Sequence, residues 1–348
     1  MKHNPLIKER ITELLREQIY TMRTDSLVRI APERALAEDL GVSRVSLKAA
    51  IKNLIHEGML LQIQGKGTYI TPTVQLHTLH LICSPDIKSN DPFYNKFLVE
   101  VTGLAAKKCI NLFMVDPLDF KSSSETSPLI VIGLLDKKLM DCLKMSYRKI
   151  IAIQDYEMTD GLLQVYFDDY RIGCKAAQTF HEYHHSKVLH LAGPEKYPSA
   201  SKRRAGFLEI SNRLGLKPSV IVEKMNWSGG YHAGEIFLEQ FDEWDRYTAV
   251  FAANDWMSVG FIQKLKEKGV RVPEEISVIG CDDIPLASEF YPPLTTFNLD
   301  MRYLVEEVFS SMNKFETFTD RDTRNATNRK ILIPAKLIHR DSLNSLRK

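Results

Sequence analysis

Little in this sequence announces a chemistry. Net charge is only +2 across 348 residues, so the total argues neither for nor against nucleic acid. The five cysteines, Cys83, Cys109, Cys142, Cys174 and Cys281, are odd in number, and no two form a CxxC pair. A disulfide framework and a zinc-ribbon spacing are therefore not expected; free, mostly buried thiols in a cytosolic protein are. Long apolar runs are missing too. The longest, at 129–135, has seven residues, against the ~20 that a bilayer-spanning helix needs. The opening MKHNPLIKER has no apolar signal core, so the expected location is cytoplasmic, with no membrane partner. Gly229-Gly230 and Gly65-Lys66-Gly67 lack the spacing and the Lys-Ser/Thr ending of a phosphate loop. No Ser/His/Asp set can be assembled from spacing. The sequence thus predicts no catalytic residue, no metal, no cofactor and no enzyme.

What is present begins in residues 31–71, APERALAEDLGVSRVSLKAAIKNLIHEGMLLQIQGKGTYIT. Just before it, Ile7, Ile11, Leu14, Leu15 and Ile19 recur at helical spacing and predict a first helix over 7–22. Pro32 can start a second, with Glu33 in its first turn, where the helix dipole favours an acid. Gly41 ends it. Ser43 caps a third, leaving Arg44, Ser46, Lys48 and Lys52 free while Leu47, Ile51, Leu54 and Ile55 form the buried stripe. Residues 59–63 and 68–71 are strand-like, with Gly-Lys-Gly as the turn between them. That order describes a winged helix-turn-helix, which places one helix in the major groove of DNA. Residues 1–75 carry 11 Lys/Arg against 8 Asp/Glu, so +3, which leaves −1 for the rest. A mildly basic head on a near-neutral body suits a DNA partner. A short polar linker, 72–78, follows.

From Leu79 onward apolar strands and amphipathic helices alternate. Strands are predicted at 79–83, 110–115, 129–133, 149–154, 187–193, 219–225, 249–254 and 276–282, separated by helical patterns. This is an α/β, doubly wound pattern with mostly parallel sheets. Ligands bind such sheets at the carboxyl ends of the strands. The polar residues there are Asp155, Asn226-Trp227, Asn254-Asp255 and Asp282-Asp283.

Residues 6–71 resemble the GntR family of winged-helix repressors, on ER-x-LA-x-x-LGVSR-x-S, the following EG and the wing GKGTYI. The resemblance implies DNA contacts at Arg34, Ser43, Arg44, Ser46, Lys48, Gly65 and Lys66. Ala31-Pro32 stands where the family usually has Pro-Ser. Lys48 stands where it usually has Arg, and Lys lacks the bidentate fork that suits guanine or phosphate.

Residues 79–341 resemble the effector domain of LacI-type regulators, related to periplasmic sugar-binding proteins. The match rests on 251–300, on LAGP with S-x-x-R-x-GF at 191–207, and on ILIPAKLIHRDS at 331–342. The DNA-binding head and hinge helix usual to that family are absent. A GntR head on a LacI-type body is the arrangement of arabinose-repressor-type regulators. The resemblance implies two lobes, about 79–164 with 296–328 and about 165–294 with 330–342. It also implies a homodimer and an interlobe ligand site built from Asp155, Arg203, Trp227, Asn254 and Asp282, with Met301 on the cleft wall. Asp, Asn and Arg would bond hydroxyls, and the Trp227 ring would pack on a sugar's C–H face.

The expected function is a ligand-responsive repressor of carbohydrate-utilisation genes, binding operator DNA and a small sugar. The alternatives are a sugar-binding module without DNA binding and a regulator that answers a purine or other non-sugar ligand. Asp168 and Asp169 are expected to cap the second lobe's first helix. Asp283 is open between a cap and a cleft group. His181 to His185 matches HExxH, but the helix has little room beyond it and position 191, where a third ligand would fall, is Leu. Zinc chemistry is therefore not expected.

Overall fold

The computed structural model describes residues 5–22, 24, 27–56, 59–63, 65–71, 78–87, 91–118, 120, 127–156, 162–240, 247–315 and 329–346. Most of the expected 72–78 linker lies outside them. The head consists of α1 (Pro5–Met22), β1 (Val28–Arg29), α2 (Glu33–Asp39), α3 (Arg44–His56), β2 (Leu60–Ile63) and β3 (Gly67–Ile70). Ile11, Leu15 and Ile19 of α1 meet Leu47, Ala50, Ile51 and Leu54 of α3 in its core. Leu14 departs from the expected stripe and is half exposed. The two-residue β1, invisible to periodicity, pairs with β3, which pairs in turn with β2, all antiparallel.

The body opens with β4 (Thr78–Cys83), α4 (Pro92–Lys107), β5 (Asn111–Val115), β6 (Leu129–Ile132), α5 (Lys137–Ser146), β7 (Ile150–Ala152) and β8 (Leu163–Phe167). The second lobe runs through α6 (Asp169–Glu182), β9 (Lys187–Ala192), α7 (Pro198–Arg213), β10 (Lys217–Val222), α8 (Trp227–Gln240), β11 (Ala249–Ala252), α9 (Asp255–Glu267), β12 (Ser277–Asp282), α10 (Pro285–Glu289) and β13 (Thr295–Asn298). After it come α11 (Met301–Phe315), β14 (Arg329–Ile333) and β15 (Lys336–Ile338). One sheet has the order β14-β8-β7-β6-β4-β5 and is parallel throughout; the other is β10-β9-β11-β12-β13-β15, with only β15 antiparallel.

The sheets correct the expected lobe boundaries. β8 and β14 belong to the first sheet and β13 to the second, so the chain crosses at 168, at 299–300 and at 334–335. These strands, LQVYF, TTFN and RKILI, mix polar and apolar residues, and such short stretches do not say which sheet they join. Asp168 caps α6 as expected, accepting the Arg171 amide at 3.1 Å. Asp283 is no cap: it accepts from Asn298 at 2.7 Å and Arg340 at 2.7 Å.

Two helix pairs of the second lobe cross through glycine. A Cβ on Gly173 of α6 would lie 2.0 Å from the Arg203 carbonyl oxygen, and one on Gly206 of α7 would lie 2.1 Å from that of Tyr170. The same holds for α8 and α9: a Cβ on Gly230 would meet the Met257 oxygen at 2.1 Å, and one on Gly260 the Trp227 oxygen at 2.1 Å. No helix among the described residues is long and apolar enough to cross a membrane.

Of the two histidines of the HExxH match, His181 is exposed on α6 and His185 has a structural place. His185 lies beyond the end of α6, buried, with its ring nitrogens 2.9 Å from Thr248 Oγ1 and 3.0 Å from the Asn344 carbonyl. His190 on β9 donates from Nδ1 to the Phe251 carbonyl at 2.8 Å and stacks on that ring. Burial pushes each of the two pKa values down to about 4. Both therefore stay neutral in the fold while the unfolded chain protonates below about 6.5. Their contribution to stability is present above that pH and is lost as pH falls toward 4. Buried Asp255, raised to about 7 by burial, has the opposite slope. A variant must therefore be compared with the native chain. Native stability is expected to drop from pH 7 to pH 5 by about 2 kcal/mol more than that of His190→Leu. Urea titrations at the two pH values measure this, and equal slopes would refute it.

Candidate functional site

Two sites emerge. On the head, Ser43 caps α3, its Oγ accepting the Ser46 amide at 3.1 Å and lying 2.9 Å from Ser46 Oγ. Gly41, at φ +62, turns the chain between α2 and α3. Arg44, Lys48 and Lys52 recur every four residues on the exposed side of α3, opposite buried Leu47, Ile51 and Leu54. Val45 is 63% exposed beside them. Sequence reasoning passed over it, yet an exposed valine between two cations is suited to a thymine methyl. Arg34, on α2, is exposed and pairs with Glu38 at 3.2 Å. At the wing, Gly65 takes φ +77, which favours glycine, and Lys66 is exposed.

The second site is the cleft between the lobes. Arg203 is its centre. It sits in the second turn of α7, 4% exposed, with Nε donating to Asp169 Oδ1 at 2.8 Å and NH2 also 2.8 Å from that oxygen. NH1 donates to the Ala253 carbonyl and lies 3.9 Å from Asp282 Oδ1. Asp282, at the end of β12, has φ 117, a strained value for a non-glycine residue. Burial raises the Asp169 and Asp282 carboxyls above the usual range, while Arg203 pulls them back. Asn254 caps α9, accepting from the Met257 amide at 2.9 Å, and donates to the Met225 carbonyl at 3.0 Å. It thereby ties the end of β11 to the loop before Trp227.

Asp155, beyond β7, stands apart from these on the first lobe. Its buried carboxylate accepts from Lys330 at 2.6 Å and from Lys202 of the other lobe. A cavity of about 290 Å³ opens beside it, lined by Leu134, Asp155, Tyr156, Pro198, Ser201 and Lys202 among others. Two expected residues remain. The Trp227 ring is 40% exposed and stacks on Tyr231 one turn along α8, centroids 5.1 Å apart. Met301 is 1% exposed in the main core and so is no cleft wall. At the start of α11 its side chain packs inward with Leu304, Val305 and Val308.

Sequence reasoning missed Lys202, Lys330, Asp91, Tyr94 and Tyr156. Asp91 caps α4, taking the Phe93 amide at 3.0 Å and the Tyr94 amide at 3.4 Å. Asp-Pro before an apolar run is the signal that could have found it. Burial first, then the charges of Asp91, Tyr197, Tyr156 and Asp282, raise the Tyr94 pKa. Tyr156, raised to about 12 by burial, donates to the Gly133 carbonyl at 2.6 Å and accepts from the Leu135 amide at 3.0 Å. No sequence signal marks Lys330.

Residues 7–70 match the family described as bacterial regulatory proteins, gntR family, and residues 177–343 match the periplasmic binding protein-like domain. The HTH-type transcriptional repressor CytR of Escherichia coli (strain K12) is 32% identical over 278 residues, 76% of this chain and 79% of that protein. The HTH-type transcriptional repressor PurR of Vibrio atlanticus (strain LGP32) is 36% identical over 141 residues, 40% of this chain, which spans only 41% of that relative's length. Among solved structures, a LacI family transcriptional regulator from Enterococcus faecalis V583 with bound ribose superposes with a TM-score of 0.63. It is 21% identical and covers 78% of this chain and all of its own. At that identity the likeness speaks for the fold alone.

Proposed function

Because this chain belongs to the LacI-type family of HTH transcriptional repressors, we propose that it is a cytoplasmic, homodimeric repressor that binds operator DNA through α3 and the wing, and that a small molecule in the interlobe cleft releases it. One observation carries the reading. The same chain presents an exposed row of cations on a Ser43-capped helix and, in its body, a cleft lined by paired polar groups. Arg34, Ser43, Arg44, Ser46, Lys48, Gly65 and Lys66 are the proposed DNA contacts. Asp282, Arg203 and Asn254 are the proposed ligand contacts, with Trp227 at the rim. Asp155 serves the lobes as well as the ligand.

The proposed effector is a monosaccharide, and the regulated genes are those of carbohydrate use. Paired carboxylates and a guanidinium suit hydroxyl groups. The Phe93 and Tyr94 rings on the first turn of α4 favour a second reading, in which a planar base such as a purine is held. A thermal-shift panel of monosaccharides, sugar phosphates, purine bases and nucleosides separates the two, since a ligand of the native state raises Tm. By linkage, the compound found must weaken operator binding by the same factor by which operator weakens its own binding. Equal ligand affinity with and without saturating operator would remove the sensor role.

The DNA assignment has its own test. Arg44→Ala is expected to lose about 1–3 kcal/mol of operator affinity with the fold intact. Lys66→Ala is expected to weaken all sequences alike and lower the salt slope by roughly one. Titrations of labelled duplex at several salt concentrations read both, and unchanged Arg44→Ala binding would refute the α3 interface.

A further inference from the structure

We propose that Lys202 is a latch that holds the two lobes together without any ligand, through the Asp155 carboxylate on the opposite lobe. The inference rests on the cleft reading above only for its consequence; the contact itself is between two groups of this chain. Asp155 has a side chain 2% exposed and takes two ammonium groups. Lys330 lies on β14, in Asp155's own lobe, at 2.6 Å. Lys202 lies on α7, in the other. The Lys202 ammonium also sits over the ring of Tyr166, on β8 of the first lobe, 5.1 Å from its centroid. Both Lys202 contacts therefore cross the lobe boundary.

Burial and the nearby Lys330 ammonium both disfavour a charged Lys202, while the other neighbouring charges are engaged elsewhere. Glu195 is taken by Arg204, and Arg203 by Asp169. A second crossing pair, Lys196 to Asp86 at 3.6 Å, is exposed at both ends and adds little. The presence of Lys330 is what makes the latch reversible. When the lobes part, Lys202 returns to water while Asp155 keeps one cation, so opening leaves no buried charge alone. A single lysine on Asp155 would satisfy it; the second serves the contact between lobes. The consequence for regulation is that an effector need not draw the lobes together. It has to bind a cleft already closed, and to alter or replace the Lys202 contact.

Hydrogen exchange on the full chain, with neither effector nor operator added, tests this. The amides of 153–156 and 197–203 report on the cleft, and β11 serves as the internal reference. Lys202→Met is expected to exchange roughly tenfold faster in both cleft segments with β11 unchanged. Lys202→Arg, which keeps the charge, is expected to stay within about twofold of the native rate. If Lys202→Met does not fold, Lys202→Gln takes its place, with faster exchange expected in the same segments. Native-like exchange in Lys202→Met or in its Gln substitute, or equal acceleration in the neutral variant and in Lys202→Arg, would each overturn the latch. None of these outcomes depends on whether a sugar or an operator is bound.

Discussion

Gly206→Ala is expected to destabilise the second lobe by about 3 kcal/mol or more, at the upper end of what overpacking produces. The added methyl would lie 2.1 Å from the Tyr170 carbonyl oxygen and 3.1 Å from the Cys174 amide nitrogen. Both belong to helix backbone and cannot rotate aside as a side chain could. The helices α6 and α7 would have to separate, and α7 carries Arg203 and Lys202. Stability and cleft geometry are therefore expected to fail together, by urea titration and by loss of the ligand-induced rise in Tm. Gly103→Ala is the control. It lies in α4 with nothing within 4 Å of its Cβ, and it is expected to gain about 0.5–1 kcal/mol through helix propensity. A Gly206→Ala loss below about 1 kcal/mol would mean that the helices do not cross as closely as described.

Arg203→Ala is expected to destabilise the fold by about 3–5 kcal/mol as well as to abolish effector binding. The LacI-type resemblance implies that Arg203 is a ligand contact. Its position gives it a structural role besides. The guanidinium is the shared partner of two buried carboxyls, Asp169 at 2.8 Å and Asp282 at 3.9 Å. Without it both must be protonated or stay buried as bare anions. Burial already raises the pKa of Asp169 and Asp282, and loss of the cation raises them further. An acid whose folded pKa exceeds its unfolded one favours the fold more as pH falls. The deficit of Arg203→Ala is therefore expected to shrink from pH 8 to pH 5. Urea titrations at both pH values measure it. A loss below about 1 kcal/mol, or one equal at the two pH values, would show that Arg203 does not serve as the counter-charge.

The head was almost fully legible in its sequence. A Ser cap, a Gly turn and an apolar stripe are local signals, and the energies behind them act within one or two helical turns. The eight strands from β4 to β7 and from β9 to β12 were legible as well, because an apolar run bounded by polar residues marks a strand wherever it packs. What lay outside was of two kinds. β1 at two residues is too short to show a period. β8, β13, β14 and β15 are short strands at the crossings between lobes, where register against a distant partner selects the conformation.

The cleft divides along the same line. Arg203, Asp282 and Asn254 stand at strand ends or helix starts, and the alternating pattern alone brings such positions to one edge of the sheet. Which group each of them holds was settled in three dimensions. Asp169 lies 34 residues from the arginine that it binds, and Lys330 lies 175 from Asp155. Pairs at such distances leave no periodicity. They form because a buried charge needs a partner, and only the folded chain decides which one is within reach. The order of elements and the helix that faces solvent with its cations were thus determined by sequence, and the two-lobed plan was implied by the family resemblance. The lobe to which each crossing strand belongs, the inward turn of Met301, the stacking of Trp227 on Tyr231 and the bond of Lys202 across the cleft were decided by tertiary packing, because each depends on the shape of a surface that no local segment contains.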